Sequence, residues 1–173
     1  LIVHHGEVLS GAIEIGSDVI TEVEPAARHA AACNHTATHL LHAALRQILG
    51  THIRQAGSLV TAERLRFDYT ADTAPSELDL SHVEELVNQK IRENLSVNKH
   101  ETSYGTAIEE GALAFFGDRY GDRVRVVEIV NDTKFSIEVC GGTHLSLTGA
   151  IGSLVITSDT NIGSGFRRIE AVT

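Results

Sequence analysis

Asn34-His35-Thr36-Ala37-Thr38-His39-Leu40-Leu41-His42-Ala43-Ala44-Leu45 carries two patterns at once. Ala37, Leu41, Ala44 and, just beyond the stretch, Ile48 recur at the spacing of one helical face, which predicts a helix over 34–49. Asn34 suits its N-cap and Gly50 its stop. At about 100° per residue, His35, His39 and His42 gather within about 60° of one another on the opposite side. The histidines therefore turn away from the helix's own core contact, toward a cleft or another element.

Outward from this helix, Ser58-Leu-Val-Thr-Ala-Glu-Arg-Leu-Arg-Phe-Asp-Tyr69 reads as a hairpin. A second helix is predicted over 81–95, with Ser81 and Glu84 as a capping box and Val83, Val87 and Ile91 as its apolar stripe. A short third helix is expected near 106–116, stopping at Gly117, although Gly111 lies inside it. Arg123-Val-Arg-Val-Val-Glu-Ile-Val130 and Phe135-Ser-Ile-Glu-Val-Cys140 flank an Asn131-Asp132 turn and read as another hairpin. Strands follow at 154–157 and 166–172. Without a regular βαβ alternation, the fold class is α+β, with a mixed or antiparallel sheet and helices. Residues 1–24 are rich in Val and Ile and punctuated by Gly6, Gly11 and Gly16, so they read as short strands that end at Pro25. They suggest the end of a small β-barrel begun upstream, with the main domain over 25–173. A start at Leu1 and the lack of any methionine support reading the chain as part of a longer polypeptide.

The chain has 173 residues, of which 42% are apolar and 21% charged, enough for one real core. No apolar run approaches the roughly 20 residues needed to span a membrane. Two cysteines without secretory signals argue for a reducing, cytoplasmic setting rather than a disulfide. The net charge of −9 argues against a free-standing RNA binder, because phosphate contacts depend on Lys and Arg. It leaves room for a domain that receives RNA held elsewhere.

The chemistry begins with His35 and His39, four apart on one helical face and able to grip one ion. Cys140-Gly-Gly-Thr-His144 adds a thiolate and an imidazole from a glycine turn after a strand. Three nitrogens and one sulfur suit tetrahedral Zn²⁺. His42 shares the metal face, but as a fifth ligand it would be unusual, so it is placed behind the ligands or at the surface. His4, His5, His29, His52, His82 and His100 lack a partner pattern and read as surface or packing residues.

The histidine segment, followed by Leu49-Gly-Thr-His52, Gln55-Ala-Gly-Ser-Leu59, Leu65-Arg-Phe-Asp68, Cys140-Gly-Gly-Thr-His144 and Arg167-Arg-Ile-Glu-Ala171, resembles the editing region of alanyl-tRNA synthetases. The likeness runs from about Glu24 to Thr173. It implies zinc held by His35, His39, Cys140 and His144, and an editing pocket lined by Thr38 and Gln55. On chemical grounds these two side chains are expected to order the attacking water. The likeness also implies hydrolysis of Ser- or Gly-tRNA for alanine within a synthetase whose remaining chain is a partner. Such a site is needed because a pocket built for alanine rejects glycine by only about 1–3 kcal/mol. Arg46, Arg54, Arg64, Arg66, Arg167 and Arg168 are the candidate RNA contacts. No class II aminoacylation motif appears, so this stretch is not expected to charge tRNA. Rival readings are a threonyl-type editing domain, a free-standing editing protein, and a zinc-stabilised tRNA-binding module without catalysis. Four protein ligands closing the zinc shell would suit the last of these.

Overall fold

The computed structural model describes residues 3–115 and 121–173. In chain order these hold α1 (Pro25–Leu49), β1 (Gln55–Val60), β2 (Leu65–Thr70), α2 (Glu77–Arg92), β3 (Ser96–Ser103) and α3 (Tyr104–Glu109). There follow β4 (Arg123–Val130), β5 (Lys134–Val139), a 3₁₀ turn (Thr148–Ile151), β6 (Val155–Gly163) and β7 (Phe166–Val172). The strands form two sheets, ordered β1-β2-β7-β6 and β3-β4-β5. Every ladder within them is antiparallel, and the fold is α+β.

α1 organises the molecule because it packs against α2, β1, β2 and β5, and so touches both sheets. Ala37, Leu41 and Ala44 are fully buried as the periodicity predicts, and Ile48 packs at the core's margin. The opposite side is covered as well. His39 and His42 are buried there, where Glu138 of β5 in the second sheet meets both rings. Of the two surroundings the sequence allowed for that face, the structure supplies another element.

The helix begins nine residues earlier than expected, at Pro25 rather than after Asn34. Proline is tolerated in a first turn, where its missing N–H would have no partner, and the alanines after it are strong helix formers. The Glu24 carboxylate caps the start by accepting from the Ala26 and Ala27 amides. Asn34 is a buried brace instead of a cap. Its amide donates to the carbonyls of Thr61 (3.0 Å) and Ala62 (3.3 Å), tying α1 to the β1–β2 turn.

α2 is also longer at its start. Ser76 and Asp79 form the capping box, with Ser76 Oγ accepting from the Asp79 amide at 3.1 Å and Asp79 Oδ2 accepting from the Ser76 amide at 3.0 Å. Ser81 and Glu84 share the same spacing but lie within the helix, and Glu84 accepts the Ile156 amide at 2.7 Å. Val83, Val87 and Ile91 are buried as expected. β3 has no counterpart in the sequence reading, because Val97 is its one buried residue and the rest is polar. α3 ends at Glu109, and Gly111 follows with a φ of 87°, a conformation that stops helices. The end expected for it at Phe116 and Gly117 lies outside the described residues.

Residues 3–24 were expected to hold short strands and contain none. A strand needs a neighbour to satisfy its backbone groups, and none of the described residues pairs with this segment. Among the described residues, no helix is long and apolar enough to cross a membrane.

Candidate metal centre and adjoining cavity

The middle of α1 and the turn after β5 meet where sequence spacing predicts. His35, His39, Cys140 and His144 each present one ligand atom, and the four atoms lie within 4.8 Å of one another. Cys140 Sγ stands 3.4 Å from His35 Nε2 and 3.3 Å from His144 Nε2. On a tetrahedral zinc, with usual bond lengths, sulfur and nitrogen ligands stand about 3.6 Å apart. These two separations are slightly tighter than in an occupied shell.

A buried atom supports this fit independently. His39 Nδ1 pairs with Glu138 Oε2 at 2.9 Å, which leaves Nε2 facing the cluster, buried and without a hydrogen-bond partner. An imidazole fixed through Nδ1 by a carboxylate, with Nε2 free, is the arrangement of a metal-bound histidine.

Charge in the cluster favours a cation. Burial alone would raise the Cys140 thiol, but hydrogen bonds from His144 and His35, with the positive charge of His39 close by, outweigh it and bring its pKa down to about 3. The sulfur is thus a thiolate at neutral pH, the form that ligates metals. Burial would lower His39, yet the charges of Glu138 and Cys140 raise it to about 10, so without a metal it holds a proton on Nε2 that a bound ion would displace. Burial, reinforced by His39 and His35 nearby, lowers His144 to about 4 and keeps it neutral.

Several residues position these ligands. Gly142 passes so close to His35 that a Cβ there would overlap the ring at Cε1 and Nδ1. Arg125 holds the turn from behind, its Nε donating to the Cys140 carbonyl at 3.0 Å and its Nη2 to the Gly142 carbonyl. Thr36 Oγ1 accepts the Leu145 amide at 3.1 Å and so anchors the far end of the turn to α1. Glu138 binds both His39 and His42, the latter at 3.0 Å through Nδ1. Of the two places left open for His42, the structure chooses the one behind the ligands.

The cluster opens on a cavity of about 100 Å³ lined by His35, Thr38, His39, Gln55, Ser58, Phe115, Glu138, Val139 and Cys140. Thr38 Oγ1 spends its proton on the Asn34 carbonyl at 2.8 Å, which leaves its lone pairs as acceptors. Gln55 reaches the cavity by a β-bulge. Residues three apart on a regular strand point to opposite faces, but the register slips between Gln55 and Gly57. The extra residue turns Gln55 and Ser58 to the same side, where Gln55 Nε2 donates to Ser58 Oγ at 3.0 Å. Both residues proposed from the sequence for this pocket therefore line one cavity beside the ligand cluster.

The arginines are more dispersed. Arg46 caps the loop after α1, donating to the carbonyls of Thr51 and Ile53 at 2.7 Å each. Arg168 makes a two-pronged pair with Asp68 at 2.7 and 2.9 Å, and Arg66 Nε lies 3.6 Å from the same carboxylate. Arg167 pairs with Asp159 at 2.9 and 2.6 Å, and Arg64 lies 3.8 Å from Glu170. Arg54, next to Gln55 and exposed, lines an open recess with His52, Thr70, Ala71 and Asp72.

Glu138, Arg125, Thr36, Ser58 and Phe115 went unnoticed in the sequence. Glu138 left one signal, since it stands two residues before Cys140 and so shares its face of the strand.

The chain is similar to known proteins along its whole length. Residues 124–170 match the family described as the threonyl and alanyl tRNA synthetase second additional domain. The chain is 50% identical over 170 residues to an alanine–tRNA ligase of Pseudomonas fluorescens, which covers 98% of this chain and 19% of the relative. It is 49% identical over 170 residues to that of Nitrosomonas europaea, with the same shares covered. With that of Desulforamulus reducens the identity is 49% over 173 residues, covering 100% of this chain and 19% of the relative. The chain thus spans about a fifth of the length of the curated relatives it matches. With a match that runs the length of this chain and includes the second additional domain, the chain belongs to the alanyl-tRNA synthetase family, of which it spans one region.

Proposed function

We propose that the chain hydrolyses the ester that joins a wrongly attached serine or glycine to the tRNA for alanine. The observation that carries this reading is the shared cavity, where the ligand cluster meets Thr38, Gln55 and Ser58. At about 100 Å³ the cavity is small and suits a small aminoacyl group.

The polar lining accounts for rejection of alanine. A serine hydroxyl can donate to the free lone pairs of Thr38 or meet the Gln55 amide. Glycine leaves room for a water to take the hydroxyl's place. Alanine's methyl group fills that space and leaves the polar groups unpaired, which a buried site tolerates poorly. Gln55 and Thr38 hold the attacking water, and Phe115 shields the cavity from bulk solvent. Zinc is the ion that three imidazoles and a thiolate fit best, held by His35, His39, Cys140 and His144. With four protein ligands its contribution when bound is positive charge and rigidity beside the cavity.

The tRNA reaches this site through local positive charge against an overall charge of −9, so binding by this chain alone is weak and salt-sensitive. Arg54 is the best placed of the six arginines, and Arg46, Arg64, Arg66, Arg167 and Arg168 complete the candidate phosphate contacts. In this reading 25–173 form the editing domain, and 1–24 become strands of a β-barrel only when paired with strands elsewhere in a synthetase. The setting is the cytoplasm, and the rest of the synthetase is the covalent partner.

The test is Gln55→Ala. Deacylation of seryl-tRNA for alanine is expected to fall about tenfold to a hundredfold as the water loses its alignment, while bound zinc stays stoichiometric. Full activity in a zinc-loaded variant would remove the role given to Gln55. The four closed ligands favour one other reading, a zinc-stabilised tRNA-binding module. Wild-type, zinc-loaded protein that binds tRNA and never releases serine would establish it.

A further inference from the structure

Glu138 is buried, 4% exposed, and lies outside the ligand set. A buried carboxylate is costly unless its oxygens are fully engaged. Here Oε2 meets His39 Nδ1 at 2.9 Å, and Oε1 meets His42 Nδ1 at 3.0 Å and Ser136 Oγ at 3.3 Å. His42 is itself fully buried, with its ring 5.2 Å from that of Phe67 and 5.0 Å from that of Phe115. A carboxylate can only accept, so each imidazole must carry its proton on Nδ1. For His39 this frees Nε2 for a metal. For His42 it turns Nε2 away from the carboxylate, where no described residue hydrogen-bonds to it.

We infer that Glu138 and His42 form a positioning pair that fixes the tautomer and ring direction of His39, and thereby the chain's affinity for a divalent metal. His42 holds the far oxygen of Glu138, so the near oxygen cannot swing away from His39. The sequence interval is suited to this task. Strand alternation puts Glu138 and Cys140 on one face, and the helical repeat puts His39 and His42 side by side, so ligand and brace come from the same two elements.

This inference rests on the proposed metal centre, and the test separates the two. Zn²⁺ and Co²⁺ affinities are measured by chelator competition on the whole chain, and the visible bands of bound Co²⁺ report ligand geometry. Glu138→Gln is nearly isosteric, but its NH₂ group opposes one of the two Nδ1–H donors. It is expected to weaken metal binding about tenfold to a hundredfold, the usual cost of losing such a partner, and to shift the Co²⁺ bands. His42→Asn retains an N–H donor near Nδ1 and is expected to stay within about threefold of wild type, whereas His42→Ala weakens binding measurably. Imidazole ¹⁵N shifts of wild-type protein give a second measurement that needs no variant. Both His39 and His42 should be protonated at Nδ1.

Should Glu138→Gln be folded and bind as tightly as wild type, or should His42 carry its proton on Nε2, the positioning role is overturned. Should wild-type protein bind neither ion, the metal centre itself falls.

Discussion

Replacing Cys140 with alanine is expected to abolish stoichiometric zinc and, with it, measurable deacylation of seryl-tRNA. The thiolate is the anionic member of the ligand set and stands between His35 and His144. Without it, three neutral imidazoles would have to hold a buried dication, with Glu138 engaged one layer behind. An affinity loss of about a thousandfold or more follows, equivalent to about 4 kcal/mol. The fold should survive. Its core is made by apolar side chains of α1, α2 and both sheets, and Cys140 packs at the margin of that core. The signature is therefore a lost response: zinc at about one hundred times its dissociation constant stabilises wild type by about 2.7 kcal/mol and leaves the variant unchanged. Metal analysis, thermal unfolding with and without zinc, and a deacylation assay on one preparation give the answer. A variant that retains one zinc per chain, or wild-type turnover, would contradict the assignment of Cys140.

Neighbouring glycines give the second large contrast. At Gly142 any side chain would overlap the His35 ring and stand 3.1 Å from its Nε2, whereas a Cβ at Gly141 meets nothing within 4 Å. Gly142→Val should displace His35 from the cluster and lower zinc affinity by about a hundredfold or more, at the upper end of what losing a supporting contact costs. Gly141→Ala should leave zinc binding and activity near wild type. Neither glycine has a left-handed φ, so close approach and not backbone strain sets the difference. Equal effects at the two positions, by isothermal titration or chelator competition, would show that the turn tolerates crowding and that His35 is not held where it is described.

The ligands were legible from spacing because a helix and a strand-end turn impose their geometry locally. His35 and His39 must share a helical face, and two glycines let Cys140 and His144 converge. What failed to show was set by partners distant in sequence. Asn34 has the chemistry of a cap, and only the β1–β2 turn reveals that it braces a longer helix. Ser81 and Glu84 have the spacing of a capping box, but so do Ser76 and Asp79, and the local pattern cannot choose between them. β3 lacks apolar alternation because it lies at a sheet edge, with β4 as its one neighbouring strand among the described residues. Gln55 and Ser58 should oppose each other by strand parity, and the bulge that unites them leaves no trace in composition. Glu138 and Arg125 look like ordinary charged strand residues until the helix and the turn are docked on them.

The two halves of the ligand set lie far apart along the chain, with 105 positions between His35 and Cys140. Closing a loop of that length costs roughly 4 kcal/mol in chain entropy, so a growing polypeptide carries an incomplete centre until most of the domain has left the ribosome. Once closed, an ion there joins the first helix to the last third of the sequence much as a cross-link would. Its escape and the opening of the domain then become linked events, and the lifetime of the bound metal is a clock for how seldom the molecule comes apart.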